Sequence, residues 1–96
     1  MVLEVAEIKI TPGQEAAFAD AYRSAKDFVA VSPGLRSIRM TQGVENPSRF
    51  VLLIEWDSVE AHEQGFRDTD RFPKWREAIG PYFAQPPLVE HFENIE

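Results

Sequence analysis

Five consecutive apolar residues, Phe50-Val51-Leu52-Leu53-Ile54, constrain the fold more than any other part of this chain. Successive strand side chains point to opposite faces, so a strand with this sequence has to be covered on both sides. The chain's own amphipathic segments can supply one cover. With 96 residues little is left for the second, and a small domain buries a modest share of its surface. The second cover is therefore expected to be another copy of the same chain. The longer stretch from Arg49 to Trp75 reads as a central strand that ends in Glu55-Trp56-Asp57 and feeds a broken helix.

The flanking segments complete the pattern. Val2 to Ile10 alternates, with Val2, Ala6, Ile8 and Ile10 on one face and Leu3, Val5, Glu7 and Lys9 on the other. Thr11-Pro12-Gly13-Gln14 reads as a helix start, with Thr11 as N-cap, Pro12 at the first helical position and Gln14 reaching back to close a capping box. Phe18, Ala21, Tyr22, Ala25, Phe28 and Val29 then recur at helical spacing, and Ser32-Pro33-Gly34 ends that helix. Leu35 to Glu45 is the second strand, with Ile38, Met40 and Val44 on one face. A turn through Pro47 leads to the third strand, Arg49 to Asp57.

Asp57 or Ser58 caps the next helix, which Gly65 weakens and Asp68-Thr69-Asp70 restarts. Pro73 fits only in the first turn of the restarted helix, whose stripe is Phe72, Trp75, Ile79 and Phe83. Leu88 to Ile95 is the fourth strand. The order is βαββαβ, an α+β ferredoxin-like arrangement with a four-stranded antiparallel sheet and helices on one face. The 96 residues are expected to form one domain.

Composition excludes several functions. Ten Lys and Arg against sixteen Asp and Glu give a net charge of −6 without any basic run, so a nucleic-acid partner is not expected. The absence of cysteine removes disulfides, thiolate nucleophiles and Cys-based metal sites. Glu4 and Glu7 stand where a signal peptide would be basic or apolar, and no apolar run has spanning length, so a cytoplasmic protein without membrane association is expected.

The run Glu55-Trp56-Asp57-Ser58-Val59-Glu60-Ala61-His62, followed by Arg71-Phe72 and Trp75, resembles the second half of antibiotic biosynthesis monooxygenase domains. Ile10-Thr11-Pro12-Gly13-Gln14-Glu15 and Pro87-Leu88-Val89-Glu90-His91-Phe92 extend the likeness over nearly the whole chain. The resemblance implies a dimeric α+β barrel, in which two sheets pack face to face and each sheet encloses a cavity with its own helices. It also implies activities that include cofactor-independent oxygenation of quinols and polyketide phenols. One branch degrades haem with an Asn, a Trp and a ligating His. Ala6, Gly65 and Arg76 occupy those positions here, so haem degradation is not expected.

Oxygenation without a cofactor needs an electron-rich substrate, a base and a water-excluding cavity. The expected cavity walls are Tyr22, Phe28, Trp56, Phe66, Phe72 and Trp75, with Gly65 leaving extra volume. Aromatics at helical spacing are also ordinary core residues. His62 is the better candidate base, because imidazole titrates near neutral pH. Its neighbours Glu60 and Glu63 equally suit a solvated surface position. His91, on the face of Val89, reads as a structural residue that could point into the dimer interface. Arg39 and Arg76 could neutralise a phenolate or carboxylate. Glu60, His62 and Glu63 cannot converge on a metal from one helical turn, and neither metal nor cofactor is expected. The expected function is monooxygenation of a small aromatic. The alternative is a non-catalytic barrel that binds a small hydrophobic ligand.

Overall fold

Alternation builds the two central strands. In β1, Val2–Lys9, the side chains of Val2, Glu4, Ala6 and Ile8 are buried, while Leu3, Val5 and Glu7 are half-buried. In β3, Arg49–Trp56, the buried set is Phe50, Leu52, Ile54 and Trp56, and Val51, Leu53 and Glu55 are half-buried. The two strands pair antiparallel, with Val2 opposite Trp56 and Ile8 opposite Phe50. β2, Leu35–Gln42, and β4, Leu88–Phe92, add antiparallel edges, so the sheet order is β2-β3-β1-β4. The computed structural model describes all 96 residues. Its α+β ferredoxin-like βαββαβ order is the expected one.

The helices cover the inner face of the sheet. α1, Glu15–Ala30, buries Phe18, Tyr22, Ala25 and Val29. α2, Val59–His62, is capped by Ser58, whose Oγ accepts from the Ala61 amide at 3.1 Å. It runs into a π turn, Glu63–Arg67, closed by the bond from the Asp68 amide to the Glu63 carbonyl at 2.8 Å. α3, Arg71–Ile79, follows, with Pro73 in its first turn and Trp75 and Ile79 buried. Phe18 meets Phe50 edge to face at 4.8 Å at the centre of the core. Each such aromatic or aliphatic side chain contributes about 1.5–3 kcal/mol by leaving water.

Arg71 ties three elements together. Its Nη1 donates to the Phe28 carbonyl at 2.8 Å and to Ser32 Oγ at 2.6 Å, and its Nη2 donates to the Gly65 carbonyl at 2.6 Å. The guanidinium thus satisfies a carbonyl that the end of α1 leaves without a helical partner, and it fixes the π turn against it.

Four local expectations fail for identifiable reasons. Thr11 does not cap α1. Pro12-Gly13 instead makes a β-turn in which Gly13 takes φ +93° and the Gln14 amide donates to the Thr11 carbonyl at 2.9 Å, so the helix starts at Glu15. β2 stops at Gln42, because the Gly43 amide bonds to the Arg49 carbonyl and closes the hairpin; Val44 is exposed. β4 stops at Phe92, whose partner Leu3 is almost the first residue of β1. Phe83 leaves the α3 stripe, since a 3₁₀ turn over Gly80–Tyr82 ends the helix and places Phe83 in extended backbone bridged to Ile10.

Candidate functional site

A cavity of about 440 Å³ lies between the inner face of the sheet and the segments that cross it. Ala6, Ile8, Leu52 and Ile54 from the sheet and Phe66, Trp75 and Ile79 from the helical side make its walls apolar. The size and lining are those of a pocket for a small organic ligand. Four charged or titratable groups also line it: Glu4 and His62, both buried, and Arg67 and Arg76, both exposed and each over the Phe72 ring.

The Glu4–His62 wall is built by strand register and by one helix. On β1, Glu4 lies opposite Ile54 of β3 and opposite His91 of β4, so its side chain shares the inner face with both Trp56 and His91. Trp56 Nε1 donates to Glu4 Oε1 at 2.9 Å. α2 brings His62 down onto this pair: its ring stacks on the Trp56 indole with centroids 5.0 Å apart and planes 15° apart. His62 Nε2 lies 3.3 Å from Glu4 Oε1, and His62 Nδ1 lies 2.8 Å from His91 Nε2. Hydrogen bonds thus join Trp56 to Glu4 and His62 to His91, and a 3.3 Å contact between Glu4 and His62 links the two pairs.

Burial governs the charges in this group. Desolvation raises the Glu4 carboxyl above its usual range, opposed by the Trp56 hydrogen bond and by the positive charge of Arg67. Desolvation, with His91 and Arg67 nearby, lowers His62 from 6.5 to about 4. His62 is neutral at pH 7, so its contact with Glu4 is that of a neutral imidazole and not an ion pair. A neutral imidazole has one donor and one acceptor nitrogen. With Glu4 ionised, the tautomer that places the hydrogen on His62 Nε2 suits the nearby carboxylate, and His62 Nδ1 then accepts from His91 Nε2–H.

Of the residues expected at the site, His62, Phe66, Phe72 and Trp75 line the cavity. Trp56 does not, because it is fully buried behind His62 and supports it. Tyr22 packs edge to face on Trp75 at 6.0 Å, and Phe28 is held near the end of α1, where its carbonyl meets Arg71; neither lines the cavity. Gly65 does not widen it either: a Cβ there would meet the Pro33 carbonyl at 3.2 Å, so the glycine lets the π turn approach the α1–β2 connection. His91 faces the helices and not the outer face of the sheet, and thus touches His62 instead of a dimer interface. The surface reading of His62 fails as well, since only 3% of the residue is exposed.

Glu4 was not singled out by sequence reasoning, although its parity with Val2 and Ala6 was a signal. A carboxylate on the buried face of a strand needs a reason.

A ferredoxin-like sheet, helices on one face and a mostly apolar cavity with a buried carboxylate and imidazole define an α+β protein with an internal cavity. The profile of the antibiotic biosynthesis monooxygenase family matches residues 1–78, and the chain belongs to that family. It is 30% identical over 95 residues to the uncharacterized protein YczJ of Bacillus subtilis, covering 99% of this chain and 100% of that one. A solved structure from Bordetella bronchiseptica that carries the family's name superposes with a TM-score of 0.93 at 30% identity, covering 99% of this chain and 97% of the other. A second, from Caulobacter crescentus, gives 0.84 at 25% identity over 99% and 90%. No helix is long and apolar enough to cross a membrane.

Proposed function

We propose that the protein is a cofactor-independent monooxygenase acting on a small electron-rich aromatic, such as a quinol or polyphenol, inside the cavity. The observation that carries this reading is the Glu4–His62 pair on the wall of a cavity that is otherwise apolar and aromatic. Glu4 Oε1 accepts from Trp56 and lies 3.3 Å from His62 Nε2, Oε2 makes no protein hydrogen bond, and the residue lines the cavity. A carboxylate whose affinity for protons is raised by burial is suited to take a phenolic proton. In this scheme His62, the expected base, acts through Glu4, because its Nδ1 is bonded to His91 and its Nε2 lies 3.3 Å from the Glu4 carboxyl.

Deprotonation yields an anion that can pass an electron to O2. For a phenol whose keto tautomer carries a ring CH2, the balance is simple. One oxygen atom becomes the new carbonyl, the other leaves as water with the two ring hydrogens, and the substrate supplies all the electrons. The protein's part is to bind, deprotonate and exclude water. Arg67 and Arg76, which have no ion-pair partner, favour a substrate with negative charge or an acidic substituent.

The functional unit in this proposal is a homodimer. Leu3 and Val5 of β1, Val51 and Leu53 of β3 and Phe92 of β4 share the sheet face that no helix covers. Burying several of them at about 1.5–3 kcal/mol each favours pairing of two sheets into a barrel. The test of the function is O2 consumption with a panel of quinols and hydroxyanthracenes, without flavin, metal or haem. Turnover that falls roughly 10²–10⁴-fold in Glu4→Gln supports the scheme. Ligand binding with no O2 uptake across the panel would leave a binding barrel as the function.

A further inference from the structure

We propose that His91 is the outer end of a proton path through which the buried Glu4 exchanges protons with solvent while the cavity is occupied. This rests on the reading of Glu4 as the base. A ligand seated in the cavity covers Glu4 from that side, so a complex formed while Glu4 is protonated gains its ionised base only if that proton leaves through neighbouring side chains. The chain of contacts supplies such a route. Glu4 Oε1 lies 3.3 Å from His62 Nε2, and His62 Nδ1 lies 2.8 Å from His91 Nε2. The His91 ring is half-buried on an edge strand, and its remaining nitrogen, Nδ1, has no protein partner and is not among the enclosed polar atoms.

The transfer balances without any redox partner. With Glu4 protonated on Oε1, His62 carries its hydrogen on Nδ1 and donates it to His91 Nε2, and His91 carries its own on Nδ1. Three shifts then occur: Glu4 Oε1–H to His62 Nε2, His62 Nδ1–H to His91 Nε2, and His91 Nδ1–H to water. The result is an ionised Glu4 that accepts from Trp56 and has the hydrogen of His62 Nε2 beside it, and each imidazole is neutral before and after. Both histidines have exchanged one tautomer for the other. The other elements facing the chain bring Val29 from α1, Leu52 and Ile54 from β3, Arg67 from the π turn and Arg76 from α3. The arginines keep their charge throughout, so Glu4, His62 and His91 are the groups there that exchange protons. His91 lies on the helix face of the sheet, so a dimer formed through the outer face leaves it accessible.

Two measurements test the path. In the substrate-free protein, ¹⁵N shifts of the imidazole nitrogens report tautomers directly. The path requires His62 to change from the Nδ1–H to the Nε2–H form in step with ionisation of the Glu4 carboxyl followed by ¹³C, and to hold one tautomer in Glu4→Gln. A His62 that keeps one tautomer while Glu4 titrates overturns the proposal, whether or not the protein turns over any substrate. In turnover at acid pH, where substrate meets a protonated Glu4, His91→Ala should lose at least tenfold in kcat at low buffer concentration with KM unchanged, and added imidazole should restore the rate. A rate that stays at the wild-type level, or a loss that imidazole does not repair, also overturns it. Failure of the oxygenase reading would look different, because wild-type protein itself would then consume no O2.

Discussion

Acid should destabilise this protein through His62 before the bulk of its carboxylates are protonated. The imidazole is held neutral in the folded state at pH values where an unfolded histidine is charged, because its proton affinity falls from 6.5 to about 4. At about 1.4 kcal/mol per tenfold change in affinity, the upper limit of the effect is about 3 kcal/mol. The sign follows from linkage. The unfolded state binds the extra proton, so stability is complete above pH 6.5, declines as pH falls toward about 4, and then levels off. Glu4 acts in the opposite sense: its raised folded affinity favours the fold at low pH, and that contribution fades as pH rises through its folded value. Urea unfolding of wild type and His62→Gln at several pH values between 4 and 7 isolates the histidine term. The difference in unfolding free energy between the two should shrink as pH falls, by up to about 3 kcal/mol. In Glu4→Gln the decline of stability with acid should become steeper, since the opposing term is gone. Parallel pH profiles for wild type and His62→Gln would refute the reasoning, because they would mean that His62 is protonated in the fold as easily as in the unfolded chain.

Other consequences follow from single side chains. Arg71→Ala removes three charge-assisted hydrogen bonds that join α1, the π turn and α3, and a loss of about 2–4 kcal/mol is expected in chemical unfolding. Gly34→Ala forces a side chain into a backbone with φ +83° and brings its Cβ to 2.8 Å from that of Ala61, so a loss of about 1–3 kcal/mol is expected by the same assay. Replacing both Arg67 and Arg76 with Gln should weaken binding of an acidic aromatic in calorimetric titration, and the residual affinity should depend less on salt.

The sheet was legible because its signals are local and periodic. The all-apolar run Phe50 to Ile54 announced a central strand, and Pro73 and Ser58 marked helix starts that the structure places as expected. The helix start at Thr11 misled because Pro before Gly serves a β-turn as readily as a first helical turn. The site was less legible because it depends on register. Glu4 and His91 are neighbours only because β1 and β4 pair with those residues opposite each other, and no periodicity reveals which strands pair or in which register. The parity of His91 with Val89 was visible in the sequence, but which face of β4 the helices cover was not. Trp56 was expected to touch the ligand because it ends the central strand; α2 places the His62 ring over it instead.

The central claim is that O2 reacts with a substrate ionised by Glu4 and delivers one of its atoms to the product. The direct measurement is turnover under ¹⁸O2 of a substrate found in the O2-uptake panel, with the product analysed by mass spectrometry in unlabelled water. One ¹⁸O atom in the new carbonyl, the second recovered in water, and loss of that labelled product in Glu4→Gln are the expected result. Incorporation of both atoms, of oxygen from water only, or an unchanged yield in Glu4→Gln would contradict the account.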